Sequence, residues 1–160
     1  MTRLHAEASA LIAATPAEVY AIFSDYHHHH PAILPKQYFP KIEVEQGGQG
    51  AGTVFTVWTR ALGVERIYHM VVSEPEPGRL LMEDDPKAGV TTTFRVVPAS
   101  QSQQTKVTIA TDWQAQAGIG GLVEKLVTPP VMRRIFRQEL KNLAEYVRTL
   151  QASAASGART

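Results

Sequence analysis

Five apolar stretches, at positions 53–61, 64–73, 79–84, 90–97 and 106–113, follow one another with breaks of only two to eight residues between them. Each break carries turn chemistry: Leu62-Gly63, Pro75-Glu76-Pro77-Gly78, Pro86 to Gly89 and Pro98 to Gln104. Connections this short cannot hold a crossover helix, so neighbouring strands must run antiparallel. The middle of the chain is therefore expected to be a meander of hairpins.

What flanks the meander completes the outline. Leu4, Ala6, Ala8, Ala10 and Ile12 alternate with His5, Glu7 and Ser9, the period of a strand with one buried face. Thr15-Pro16-Ala17-Glu18 then forms a capping box with proline at the first helical position. Val19, Ile22 and Phe23 give that short helix an apolar face. Ser24-Asp25 supplies a second cap, and a second short helix fits between Tyr26 and Leu34, limited by Pro31 and Pro35. Ile42 and Val44 mark another strand, closed by the glycine-rich turn Gly47 to Gly52.

Beyond Gly118 the period becomes helical. Leu122, Val123, Leu126, Val127, Val131, Ile135, Phe136, Leu140, Leu143, Ala144, Val147 and Leu150 share one broad face. Pro129 and Pro130 predict a kink or break near Val127 and Thr128. Residues 1–150 read as a single domain and residues 151–160, small and polar, as a flexible tail. The expected fold class is α+β, with a seven-stranded antiparallel sheet wrapped around a long C-terminal helix and two short helices between the first two strands.

This succession, together with Ala-Thr-Pro-Ala-Glu-Val-Tyr at 14–20, the turn Val-Ser-Glu-Pro-Glu-Pro-Gly-Arg-Leu at 72–80, and Phe94 with Val107 to Ile109, resembles the helix-grip (SRPBCC) superfamily of START, Bet v 1 and polyketide-cyclase-like proteins. The resemblance runs from residue 3 to about 150. It implies a site for an apolar small molecule between sheet and helix. The reaction, if any, it leaves open: similar proteins include cyclases, hydrolases, lipid carriers, hormone receptors and co-chaperones, because fold and function are separable.

Composition removes other classes. With 16 basic and 15 acidic residues the formal charge is +1, so no global field draws the chain to nucleic acid or anionic lipid. The absence of cysteine excludes disulfides, thiolate metal sites and a cysteine nucleophile. His5 and Glu7 interrupt any signal-like apolar core near the N-terminus, and no apolar run reaches membrane-spanning length, which reads as a cytoplasmic protein without membrane insertion. It is expected to be a monomer or homodimer.

Hairpin arithmetic selects the wall of the expected cavity. A tight turn at Leu62-Gly63 places Ala61 opposite Val64, Arg60 opposite Glu65, Trp58 opposite Ile67 and Thr56 opposite His69. That face, ending in an ion pair, is assigned outward. The other parity, Phe55, Val57, Thr59, Arg66, Tyr68, Met70 and Val72, becomes the wall. Leu80 and Met82, then Thr92, Phe94 and Val96, then Val107, Ile109 and Trp113 extend it, with Val131, Ile135 and Phe136 as a lid. A buried Arg66 needs a partner, either an anionic ligand group or a carboxylate such as Glu83, Asp84 or Asp112.

His27 to His30 is the most conspicuous polar run, but successive helical residues point about 100° apart, so four in a row do not converge on one ion, and no metal site is assigned. The superfamily resemblance places His30-Pro31 at the pocket rim, with a loop toward Tyr38 at its mouth. Capping or loop support is an equal reading for His30. The glycines at 47, 48, 50 and 52 lack the Lys-Ser/Thr ending of a phosphate loop. Arg133, Arg134, Arg137 and Lys141, with Glu139 and Glu145 among them, read as a solvated helix face.

The expected function is binding of a small hydrophobic molecule without a cofactor, with His30, Tyr38, Phe55, Val57, Thr59, Arg66, Tyr68, Met70, Met82, Phe94, Trp113, Val131 and Ile135 around it. The alternatives are cyclisation or dehydration of a polyketide-like substrate assisted by His30 or Tyr68, and a protein-interaction module with a co-chaperone-like role that uses the outward face with Trp58, Ile67 and Val71 or the basic last helix. No catalytic residue is assigned.

Overall fold

Thr15 begins the first helix as its sequence requires. In the computed structural model, which describes residues 2–101 and 103–158, its hydroxyl accepts from Glu18 N while the Glu18 carboxylate accepts from Thr15 N at 2.8 Å. The elements are β1 (Arg3–Ile12), α1 (Pro16–Ser24), α2 (His29–Ile33), β2 (Lys41–Gln46), β3 (Val54–Ala61), β4 (Val64–Glu76), β5 (Leu80–Asp85), β6 (Val90–Pro98), β7 (Thr105–Gln114) and α3 (Ile119–Gly157). This is the helix-grip fold. The second helix is shorter than its apolar pattern allows: the Asp25 carboxylate accepts from His27 N and His28 N, holding those residues in a turn ahead of it.

All seven strands form one antiparallel sheet in the order β1-β7-β6-β5-β4-β3-β2. The two-residue turn sets the β3–β4 register as counted, with Ala61 opposite Val64 and Arg60 opposite Glu65. Arg60 Nε donates to Glu65 at 2.8 Å, and this pair stands in solvent. On the inward face Phe55, Val57, Met70 and Val72 are buried, joined by Leu81, Phe94, Val96, Val107, Ile109 and Trp113 from the next strands.

α3 runs through Pro129 and Pro130 as one helix. Its packed side carries Ile135, Phe136, Glu139, Leu140, Leu143 and Val147, all buried. Helical structure extends to Gly157, and Gln151 Nε2 donates to the Ala13 carbonyl at 2.8 Å. The other end behaves differently: Leu122, Val123, Leu126 and Val127 are exposed although they lie on the predicted apolar face, and Ile119 beside them is exposed too. That end is tied down by Glu124, whose carboxylate accepts from Trp113 Nε1 at 3.0 Å and from Gln116 N at 2.9 Å. Gly121 is needed there, because a Cβ would stand 1.8 Å from the Gln116 carbonyl oxygen.

Candidate functional site

An interior built from Phe23, Phe55, Phe94, Ile135 and Phe136 should hold no ionisable group without a strong reason, since charge in a low-dielectric core is costly unless matched. Four such groups meet there. Tyr26 and His30 come from the α1–α2 segment, Glu83 from the inward face of β5, and Glu139 from the packed side of α3, all buried. Tyr26 OH donates to Glu83 Oε1 at 2.7 Å. His30 Nδ1 lies 2.7 Å from the Phe23 carbonyl oxygen, which can only accept, so Nδ1 carries a proton. The same nitrogen is 3.9 Å from Glu83 Oε1, and Nε2 is 3.8 Å from Glu139 Oε1. Glu139 Oε1 itself has no hydrogen-bond partner among the described residues.

Aromatic packing fixes this geometry. The His30 ring stands edge-on to Phe94 at 5.1 Å and to Phe23 at 5.7 Å, and lies 4.9 Å from Tyr26, whose other neighbour is the stacked ring of Phe55. The titration behaviour follows from burial and charge. Burial drives His30 toward neutrality, yet Glu139, Glu83 and the Phe23 carbonyl together outweigh it and raise its pKa above the ordinary histidine value. Burial pushes the Glu83 carboxyl up, with the His30 charge and the Tyr26 hydroxyl acting against it. Burial, then the Glu83 charge, drives the Tyr26 phenol well above its usual range.

Several expected positions move in this light. His30 is an interior residue and not part of a rim. Met82 pairs with Ser73 on the opposite face of the sheet, because Val72, which points inward, lies beside Glu83. The inward parity of β5 is thus Leu81, Glu83 and Asp85, and Leu80 leaves the wall with Met82. Asp85 serves the backbone: burial would raise its pKa, but the N–H groups of Ala88, His69 and Lys87 bind its carboxylate and hold it below the usual range. Glu139, grouped by sequence with the basic residues, is buried, whereas Arg133, Arg134, Arg137 and Lys141 are exposed.

Arg66 is exposed, and none of its proposed carboxylate partners is engaged with it among the described residues. Glu83 holds Tyr26, Asp84 accepts from Thr91, and Asp112 pairs with His5 and Arg3. Tyr68, half-buried, has its phenol pushed up by burial and by Asp85 and Glu124, with Arg66 acting in the opposite sense. Thr59 Oγ1 donates to the Arg66 carbonyl at 3.3 Å. Tyr38, Ala61, Tyr68, Val90, Val131 and Met132 are partly buried against the core, an apolar margin continuous with the interior.

The histidine run splits four ways. His27 Nε2 reaches the Gly47 carbonyl, His28 leans on Asp25 from solvent, His29 Nδ1 meets Tyr146 OH, and His30 enters the core. Among the described residues, one surface hollow of about 350 Å³ lies beside Pro35, Lys36, Gln37, Gln138 and Asn142, and another of about 440 Å³ beside Ser9, Ala10, Leu11 and Lys106. Neither includes a residue of the interior cluster.

The sheet and α3 thus define a helix-grip fold with four ionisable groups gathered inside it. The chain belongs to the polyketide cyclase/dehydrase and lipid transport family, whose pattern matches residues 3–148. It is similar to the KanY protein (ms6282), at 32% identity over 92% of this chain and 99% of that one, with a TM-score of 0.79. TTHA0849 from Thermus thermophilus shares 21% identity over 94% of this chain and 99% of that one, at a TM-score of 0.74. The Zhui aromatase/cyclase from a Streptomyces species shares 16% over 92% and 94%, at 0.72. No curated protein sequence matches the chain. Among the described residues no helix is long and apolar enough to cross a membrane.

Proposed function

We propose that the protein binds one small, mostly apolar molecule between the sheet and α3, with the Tyr26–His30–Glu83–Glu139 cluster as its polar anchor. The observation that carries this reading is the buried Glu139 oxygen that has no hydrogen-bond partner among the described residues, in a cluster walled by apolar side chains. A group left in that state costs on the order of 1–3 kcal/mol, a cost that a ligand able to bond it would remove. The family's association with polyketide chemistry and lipid transport supports the same class of ligand.

The interior rings are in mutual contact, so admission of a ligand requires part of the wall to move. The first turns of α3, exposed apart from Gly121 and the Glu124 tether to Trp113 and Gln116, leave their large apolar side chains in solvent, and Tyr38, Tyr68, Val131 and Met132 pack at the margin of the core. Native mass spectrometry of protein isolated without detergent, followed by organic extraction, tests the reading. A stoichiometric apolar molecule is the expected result. Protein that stays empty and shows no thermal shift with lipids, aromatic polyketides or terpenoids would overturn it.

A second reading, acid–base assistance to cyclisation or dehydration, draws on one feature. His30 has its Nδ1 proton fixed by a carbonyl and its Nε2 directed at a carboxylate, an arrangement suited to proton transfer. It requires that His30→Asn abolish turnover of a polyketide-like substrate while ligand affinity survives.

A further inference from the structure

The cluster's hydrogen bonds can be accounted for proton by proton, and the remainder says what kind of head group would fit. Tyr26 has one hydroxyl proton, already donated to Glu83. His30 has its Nδ1 proton, already donated to the Phe23 carbonyl. What is left at the centre is the acceptor Glu139 Oε1, without a hydrogen-bond partner among the described residues, and His30 Nε2, 3.8 Å from it, which accepts when the ring is neutral and donates when the ring carries the charge that the two carboxylates favour. At that spacing neither satisfies the other. A hydroxyl placed between them would donate its one proton to Glu139 and accept from Nε2 of the charged ring, and an ammonium would donate to Glu139 and to Nε2 of the neutral ring.

Charge points the same way. Two buried carboxylates stand against at most one imidazolium, and no lysine or arginine is buried among the described residues. Arg66, the cation that the strand pattern offers to an anionic ligand, is exposed. A carboxylate or phosphate head brought to Glu139 would add a third negative charge to a medium that screens poorly.

We infer that the interior site selects a ligand whose head donates hydrogen bonds and carries no negative charge, a phenol or alcohol or a protonated amine, held by Glu139 and His30 Nε2 at the end of an apolar body. The inference rests on the binding reading proposed above and narrows it. It removes fatty acids and other free carboxylates from the candidate ligands, while leaving hydroxylated aromatics, sterol-like alcohols and arylalkyl amines.

Four probes with one apolar body separate the possibilities: naphthalene, 2-naphthol, 2-naphthylmethylamine and 2-naphthoate, titrated into wild-type protein and E139Q by calorimetry. The naphthol and the amine are expected to bind, with the naphthoate at least about tenfold weaker, and E139Q is expected to cut the amine's affinity by roughly ten- to a hundredfold. A preference for naphthol over amine, or the reverse, then assigns the head as neutral or cationic. Naphthoate or naphthalene binding as tightly as the naphthol and the amine, or a preference unchanged in E139Q, overturns the inference and leaves the binding reading standing. If none of the four binds, both fall. Should E139Q fail to fold, the His30 Nε2 ¹⁵N resonance in wild-type protein decides: it is expected to move with the amine and not with naphthalene, and a resonance that ignores both overturns the inference.

Discussion

The two halves of α3 share one apolar periodicity and have opposite fates. From Ile135 to Val147 the stripe is sealed against the sheet, with Leu143 fully buried. From Ile119 to Val127 the same kind of stripe faces solvent, Ile119 at 86% and Leu126 at 73% exposure. Pro129 and Pro130 lie between them and remove the two hydrogen bonds that would reach back to the carbonyls of Lys125 and Leu126. Periodicity specifies that a helix has an apolar face, but what covers that face is decided by the rest of the fold. Here one half holds the interior cluster in place and the other is fastened mainly through Glu124, with its apolar side chains in solvent.

The difference can be broken first at its packed end. Leu143→Ala should cost about 2–5 kcal/mol in urea unfolding, the range for a large-to-small change in a closed core. A loss under about 1 kcal/mol would mean the packed half is looser than its burial indicates. Tyr26→Phe, which takes the donor from buried Glu83, should cost about 1–3 kcal/mol by the same assay, and a neutral result would place Glu83 in its protonated form, in no need of that donor.

Protonation sharpens the contrast further. His30 and Glu83 both have folded-state pKa values raised above their ordinary ones, so the native state holds protons that the unfolded chain has given up. Their contribution is fully present below the unfolded values and is lost as pH rises through the folded ones. Stability should therefore fall as pH climbs past about 4.5 for Glu83 and past about 6.5 for His30, by no more than about 1.4 kcal/mol per pH unit for His30 alone, and His30→Asn should flatten the part of the limb that begins near 6.5. Persistence of that part in the variant would assign the effect elsewhere. The smallest change belongs to the open half: Leu126→Ala should shift stability by no more than about 0.5 kcal/mol, and a cost near that of Leu143→Ala would show that this half is covered in solution.

Turn chemistry and strand parity made much of the architecture legible. A two-residue Leu62-Gly63 turn leaves one register for β3 and β4, and Thr15 with Glu18 leaves one start for α1. The cluster was harder to read, for a physical reason. Alternation on β5 offers Leu80 and Met82 as the apolar parity, and only pairing with Val72 reveals that Glu83 takes the inward place. Glu139 left a trace: it sits three residues after Phe136 and four before Leu143, on the apolar stripe itself, where a solvated acid has no reason to be. Its basic neighbours obscured that spacing. His30 was marked for its family position, but its depth comes from α2 being only five residues long and turning the ring beneath Phe94.

The interior, and not the open half of α3, is where a bound molecule should be found. Methyl-selective NMR of wild-type protein with 2-naphthol, recording intermolecular nuclear Overhauser effects, addresses this directly. Contacts to the methyls of Ile135, Val57 and Val96 are the expected result. Contacts confined to Leu122, Leu126 and Ile67, with the interior methyls silent, would contradict an internal site and move binding to the surface.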